Sequence, residues 1–271
     1  MSIAPVLPFG GYAGWRYLQR TMDAQQTRVA SSAANQRDEA YFRANIGKVT
    51  SAEELVADRR LLKVALGAFG LDADLPNKAF IRKIIEGGTS DSASLANRLS
   101  NKSYAAMAKA FSFEGETPAS QAAGFADTIL ASYETRQFEI AVGDQDNDMR
   151  LALSAQRELA ALAKTSSSDS TKWYTILGST PLRKVFETAF GLPESFATID
   201  IDKQLSMLRK KADTYFGSSE VAQFSDADSL EKLVKQFLLR STAQSSTATS
   251  PALTLLQGTG SANSLFQYLI R

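Results

Sequence analysis

One eleven-residue phrase occurs twice in this chain of 271 residues. Leu61-Leu62-Lys63-Val64-Ala65-Leu66-Gly67-Ala68-Phe69-Gly70-Leu71 aligns with Leu182-Arg183-Lys184-Val185-Phe186-Glu187-Thr188-Ala189-Phe190-Gly191-Leu192, with seven identities in eleven. Each copy spaces its apolar residues three and four apart and ends on a glycine where a helix stop belongs. The phrase therefore predicts two amphipathic helices, each at the same place in one of two related modules. Chance likeness between two glycine-terminated helices is the alternative. Ser94-Leu95 and Lys109-Ala110-Phe111 resemble Ser229-Leu230 and Lys235-Gln236-Phe237, and Gln36-Arg37 and Gln156-Arg157 fit as upstream equivalents.

The rest of the chain reads as helix too. Tyr12 to about Asn45 can run as one long helix, with Trp15, Leu18, Met22, Gln25 and Val29 on one stripe. So narrow a stripe needs a partner, either the rest of the chain or another molecule. Ser51 with Glu54 forms a capping box that opens a helix running on through Leu66. Further helices are expected over about 76–86, 91–99 (capped by Asp91 or Ser92) and 101–112. Thr117-Pro118 should then open a long helix to Val142, interrupted at Gly143, with another from Asp146 to Lys164. Asp169 or Ser170 is expected to cap the helix of Trp173, and Thr180-Pro181 the second copy of the phrase. Helices over about 200–216 and 226–241 complete the body. No segment alternates apolar and polar residues over more than four positions, so no sheet is expected.

The expected architecture is all-α. Residues 1–34 form a leader and the start of the long N-terminal helix, 35–142 a first module, and 143–241 a second, related module. Residues 242–271 are a flexible, low-complexity tail with an apolar end. Trp15, Leu18 and Met22 on the first helix, and Leu265, Phe266, Tyr268 and Leu269 in the tail, are the candidate partner-binding residues.

Chemistry is restricted by what the chain lacks. It has no cysteine and no histidine, which excludes disulfides, thiolate nucleophiles, serine–histidine triads and imidazole or sulfur metal sites. Asp144-Gln145-Asp146-Asn147-Asp148 alternates carboxylates like a calcium loop, but Met149 and Ala155 stand where glycine and glutamate are required. Gly47-Lys48-Val49-Thr50 lacks the upstream glycine of a phosphate loop, and Gly10-Gly11-Tyr12-Ala13-Gly14 lacks the strand–helix context of a dinucleotide site. Glu114 and Glu116 are ordinary loop acids, and Trp173 and Tyr174 read as core. No catalytic constellation, cofactor site or metal site emerges. Thirty basic against twenty-nine acidic side chains, net +1, argue against nucleic acid as a partner. No apolar run spans a bilayer, and the Pro-interrupted opening is a poor signal peptide.

Several stretches resemble an alphaproteobacterial family catalogued as domain of unknown function 1217. They include Ala40–Ser51, Leu61–Leu71, Lys78–Ile84, Asp169–Tyr174, Pro181–Phe186 and Glu187–Pro193, and the likeness covers roughly residues 35–241. Genes of that family lie among flagellar genes, and it has no established catalytic residues. The resemblance thus implies a flagellar setting, with other flagellar proteins or a second copy of the chain as partners. Three functions are open: a flagellum-associated structural or assembly protein, a cytoplasmic chaperone or regulator of flagellar assembly, and a helical small-molecule binder or enzyme. The corresponding locations are the cytoplasm or the flagellum, the latter reached through the flagellar export apparatus.

Overall fold

The computed structural model describes residues 3–113 and 118–248. Among them the regular structure is thirteen α-helices and five short 3-10 turns, with no strand. The fold is all-α.

The expected long first helix is two helices, α1 (Gly11–Ala30) and α2 (Ala33–Asn45). Ser32 is extended and its hydroxyl accepts from Asn35 N–H, so it stops one helix and caps the next. The apolar stripe thins at this same place. Ser51 caps α3 (Ala52–Ala57) through Glu54 N–H at 3.2 Å, and the Glu54 carboxylate reaches back to Thr50 N–H at 2.7 Å. Asp58 ends α3 and caps α4 (Arg59–Phe69), accepting from Arg60 and Leu61 N–H, so the helix expected to be continuous is broken there. After α5 (Lys78–Glu86), the short α6 (Leu95–Arg98) is capped by Ser94 rather than Asp91 or Ser92, and α7 (Ser103–Ala110) follows.

Pro118 opens only the 3-10 turn Ala119–Gln121, and Thr117 lies outside the described residues. The long α8 (Phe125–Gly143) starts instead after Gly124, whose φ of +78° reverses the chain. Asp146 caps α9 (Asn147–Ala163) as the sequence indicates. The caps of α10 (Asp169–Gly178) and α11 (Thr180–Phe190) are Ser168 and Ser179, each one residue earlier than expected. Then come α12 (Ile201–Phe216) and α13 (Ala227–Ala248). Part of the segment expected to be a loose tail from residue 242 is therefore helix. Leu265, Phe266, Tyr268 and Leu269 lie outside the described residues.

Two large cores hold these helices. The first gathers Phe42, Leu55, Leu62, Val64, Leu66, Ile81, Met107, Phe111 and Tyr133 from α2–α5, α7 and the first half of α8. The second gathers Trp15, Leu18, Phe138, Leu159, Trp173, Phe186, Phe190, Leu208, Phe224 and Phe237. Chain order and core membership differ: α1 belongs to the second core, and α8 runs through both. Burial of these large side chains, each contributing roughly 1.5–3 kcal/mol relative to exposure, is the main stabilising term.

The two copies of the repeated phrase occupy matching corners. α4 and α11 end at Gly70 and Gly191, with φ of +69° and +62°. In each, the next leucine donates back five residues, Leu71 to Leu66 at 3.0 Å and Leu192 to Glu187 at 2.8 Å. That pairing is the Schellman closure a left-handed glycine permits.

Candidate functional site

The cleft between the two cores is where charged side chains leave the surface. α8 and α9 meet there as an antiparallel pair, and Gly143 at their junction leaves room for the stem of Arg150. Glu139 sits on the inward side of α8, its side chain only 7% exposed. It accepts from Arg157 Nε at 2.7 Å and Nη2 at 2.9 Å, a two-pronged pairing, and from Ser154 Oγ at 3.2 Å. Arg157 Nη2 also reaches Glu158 at 3.2 Å. A buried carboxylate without such partners would be strongly unfavourable.

Arg136, one turn before Glu139, donates its Nε to Ala68 O at 3.0 Å, binding the last turn of α4 at its negative end. Its nearest carboxylate is Glu158, 3.9 Å from Nη2. Burial, reinforced by the charge of Arg157, holds Arg136 below the ordinary guanidinium range. Burial pulls Arg157 down as well, but the Glu139 hydrogen bond and the Glu139 and Glu158 charges outweigh it, and Arg157 lies above its ordinary value. Two neighbouring arginines thus differ because Arg157 hydrogen-bonds both glutamates, whereas Arg136 only approaches Glu158.

A cavity of about 440 Å³ opens on this network, lined by Arg136, Glu139 and Arg150 from α8 and α9 and by Ser179, Thr180 and Pro181 at the start of α11. A second cavity, also about 440 Å³, shares Asn101, Ser103, Arg136, Glu158, Gly178 and Ser179 with it and continues past Arg157 and Lys102. The pair forms one polar cleft with an apolar far wall of Ala106, Ala161, Leu162 and Leu182.

The residues picked out in the sequence lie elsewhere. Trp15 and Leu18 are fully buried in the second core, and Met22 packs against it. Trp15 Nε1 donates to Glu231 at 3.0 Å, and Tyr12 Oη donates to the same carboxylate at 2.8 Å. The stripe on α1 is thus covered by the chain's own α8, α9 and α13, which corrects its reading as a partner surface. Of the calcium-like acids, Asp146 caps α9 through Met149 N–H, and Asp148 accepts from Ser241 Oγ. Trp173 is core and donates to Ser219 O at 3.0 Å, but Tyr174, also expected in the core, is exposed and donates its hydroxyl to Asp202. Glu114 and Glu116 lie outside the described residues. Among the described residues, no helix is long and apolar enough to cross a membrane.

Sequence reasoning passed over Arg136, Glu139, Arg157 and Glu158. One signal was available: Arg136 falls three residues after the buried Tyr133, and Glu139 beside the buried Phe138, so charges interrupt a helix's inward face.

Residues 68–230 match the family described as "Protein of unknown function (DUF1217)". The chain belongs to that family. The match begins in the last turn of α4 and ends in the first turn of α13, so this DUF1217 segment contains the whole of α8 and α9 and every wall of the cleft. A crystal structure of a protein from Agrobacterium tumefaciens is similar at 28% sequence identity and a TM-score of 0.73. The likeness covers 89% of this chain and 99% of that one. No curated protein matches the chain.

Proposed function

We propose that this DUF1217 protein is a flagellum-associated structural or assembly protein that works by binding other proteins. The flagellar setting comes from the family resemblance. What supports the binding mode is the meeting of the leader, the start of α1 and the far end of α13. Thr242 of α13 lies against Gly11, so that a Cβ on Gly11 would stand 2.7 Å from its hydroxyl. Gln25 clasps the backbone of Val6, Gln145 donates to Pro5 O, and Ser241 reaches Asp148, so four segments are tied together at this end of the body. On that ordered platform Phe9 is 61% exposed, Val6 46% and Leu239, one turn before Thr242, 51%. Large apolar side chains held outward on a structured surface are what a protein partner covers.

The test is fractionation of the tagged protein in its host together with co-purification from intact basal bodies. Recovery with basal bodies or in the medium, lost in a Phe9→Ser, Leu239→Ser double variant that retains its helical circular dichroism, is the expected result. Protein found only in the cytosol would replace this reading with a chaperone or regulator of flagellar assembly. Undiminished recovery of the double variant would remove the platform from the binding site. Deleting all of residues 1–30 is the wrong variant, because it also removes Trp15 and Leu18 from the core.

A further inference from the structure

The cleft between the cores holds more donor capacity than the protein itself uses. Arg136 spends its Nε on Ala68 O, but among the described residues its two terminal nitrogens make no hydrogen bond, and the nearest carboxylate stops at 3.9 Å. A guanidinium carries five N–H donors, and withdrawing it from water without partners is costly. Arg150 lies on the same cavity and makes no ion pair among the described residues. Its methylenes rest against Gly143, close enough that a Cβ there would stand 2.4 Å from Cδ, so the glycine lets the stem lie down beside α8. The acids of the lining do not supply what is missing. Glu139 is held by Arg157 and Ser154, and Glu158 by Arg157. Asp72 is the remaining carboxylate on the wall, an acceptor for a hydroxyl or amine. The start of α11 on the same cavity adds a favourable dipole for negative charge. A volume of about 440 Å³ accommodates a small metabolite.

We infer that this cleft is a binding site for a small ligand bearing a carboxylate or phosphate, held by the terminal nitrogens of Arg136 and by Arg150. Arg157 acts as a positioning residue: it holds both glutamates by hydrogen bonds, and the terminal nitrogens of Arg136 approach Glu158 only at 3.9 Å. The lining of this site includes none of Val6, Phe9 and Leu239, the exposed side chains of the protein-binding platform.

The experiment titrates the full chain with inorganic phosphate and, separately, with citrate, at constant ionic strength with chloride as the balancing salt. Calorimetry and thermal unfolding are the readouts. Saturable binding of either probe is expected, weakened about tenfold or more in Arg150→Gln, the loss of one charge-assisted contact. Phosphate preference would point to a phosphorylated ligand, and citrate preference to a carboxylic acid. Because Arg150 is exposed, Arg150→Gln should fold normally and decides the matter even if Arg136→Lys does not fold. Saturation by neither probe, or equal binding by Arg150→Gln, would overturn the inference.

Discussion

The corner at Gly70 and the corner at Gly191 are built from the same phrase and finished differently. In both, an arginine from a long helix lies against the left-handed glycine: a Cβ on Gly70 would stand 2.5 Å from Arg136 Nη1, and one on Gly191 would stand 2.0 Å from Arg240 Nη1. At the second corner Arg240 donates to Tyr215 Oη at 3.1 Å and its guanidinium lies over that ring, which itself stacks on Phe190. That arginine packs against an aromatic wall. At the first corner Arg136 reaches a backbone carbonyl and then faces a cavity. Duplicate sequence gives duplicate packing, and the copy whose arginine faces a cavity is the one positioned to bind something.

The positions where the copies disagree are where the comparison can be broken. Phe186 stands where the first copy has Ala65, and its ring meets Trp173, Phe190 and Phe224 edge-on at 5.4–5.5 Å. Phe186→Ala makes the copies alike there and should cost about 3–5 kcal/mol in denaturant unfolding, since it removes a fully buried ring. Gly67 stands where the second copy has Thr188, because Tyr133 lies over it; a Cβ would meet the ring carbons at 2.8 Å. Gly67→Thr should therefore cost roughly 1–3 kcal/mol by overpacking, and more than the reverse change, Thr188→Gly, at about 1 kcal/mol. If the two costs came out equal, the claimed difference between the corners would be wrong.

Smaller effects sharpen the same contrast. Gly70→Ala and Gly191→Ala each force an L-residue into the left-handed region and should lose about 1–3 kcal/mol. Gly191→Ala should lose more, because Arg240 is pinned on an aromatic wall while Arg136 can swing into the cavity. Denaturant midpoints of the two variants, measured side by side, check the order. The smallest effect is a titration confined to the first core. Burial, then the hydrogen bond and charge of Asp74 at 2.6 Å, push Tyr104 from 10.0 up to about 12. A raised folded-state value means its stabilising contribution is complete below pH 10 and is lost as pH climbs toward 12. Stability should fall across that window in the natural protein, and Tyr104→Phe should remove that component of the fall.

Local signals in the sequence carried a good deal of the architecture. Gly70, Gly191, the interruption at Gly143 and the Asp146 cap all act through chemistry confined to a few residues, and all were readable. The break at Ser31-Ser32 was not, because a serine within a helix-compatible stretch looks the same whether it faces water or caps a new helix. Pro118 misled for a related reason: a proline suits a 3-10 turn as well as an α-helix. The cleft was the least legible part. Arg136, Glu139, Arg157 and Glu158 lie on two helices, and read singly they are solvated charges. Only the packing of α8 on α9 brings Arg157 within 2.7 Å of Glu139. The fate of the α1 stripe was likewise undecidable from spacing, since Trp15 finds its partner Glu231 at a separation of 216 residues.

That separation dictates an order of events as the polypeptide is made. The helices that enclose the first core are synthesised in one run from Phe42 to Tyr133, so that half can close as soon as it emerges. α1 leaves the ribosome earlier still, and although α8 and α9 offer it a surface first, the cover over Trp15 and Leu18 is complete only when α13 follows. For most of its synthesis the chain therefore carries an incompletely covered helix ahead of a finished half. The arrival of α13 completes that cover, so an early helix is among the last to be sealed.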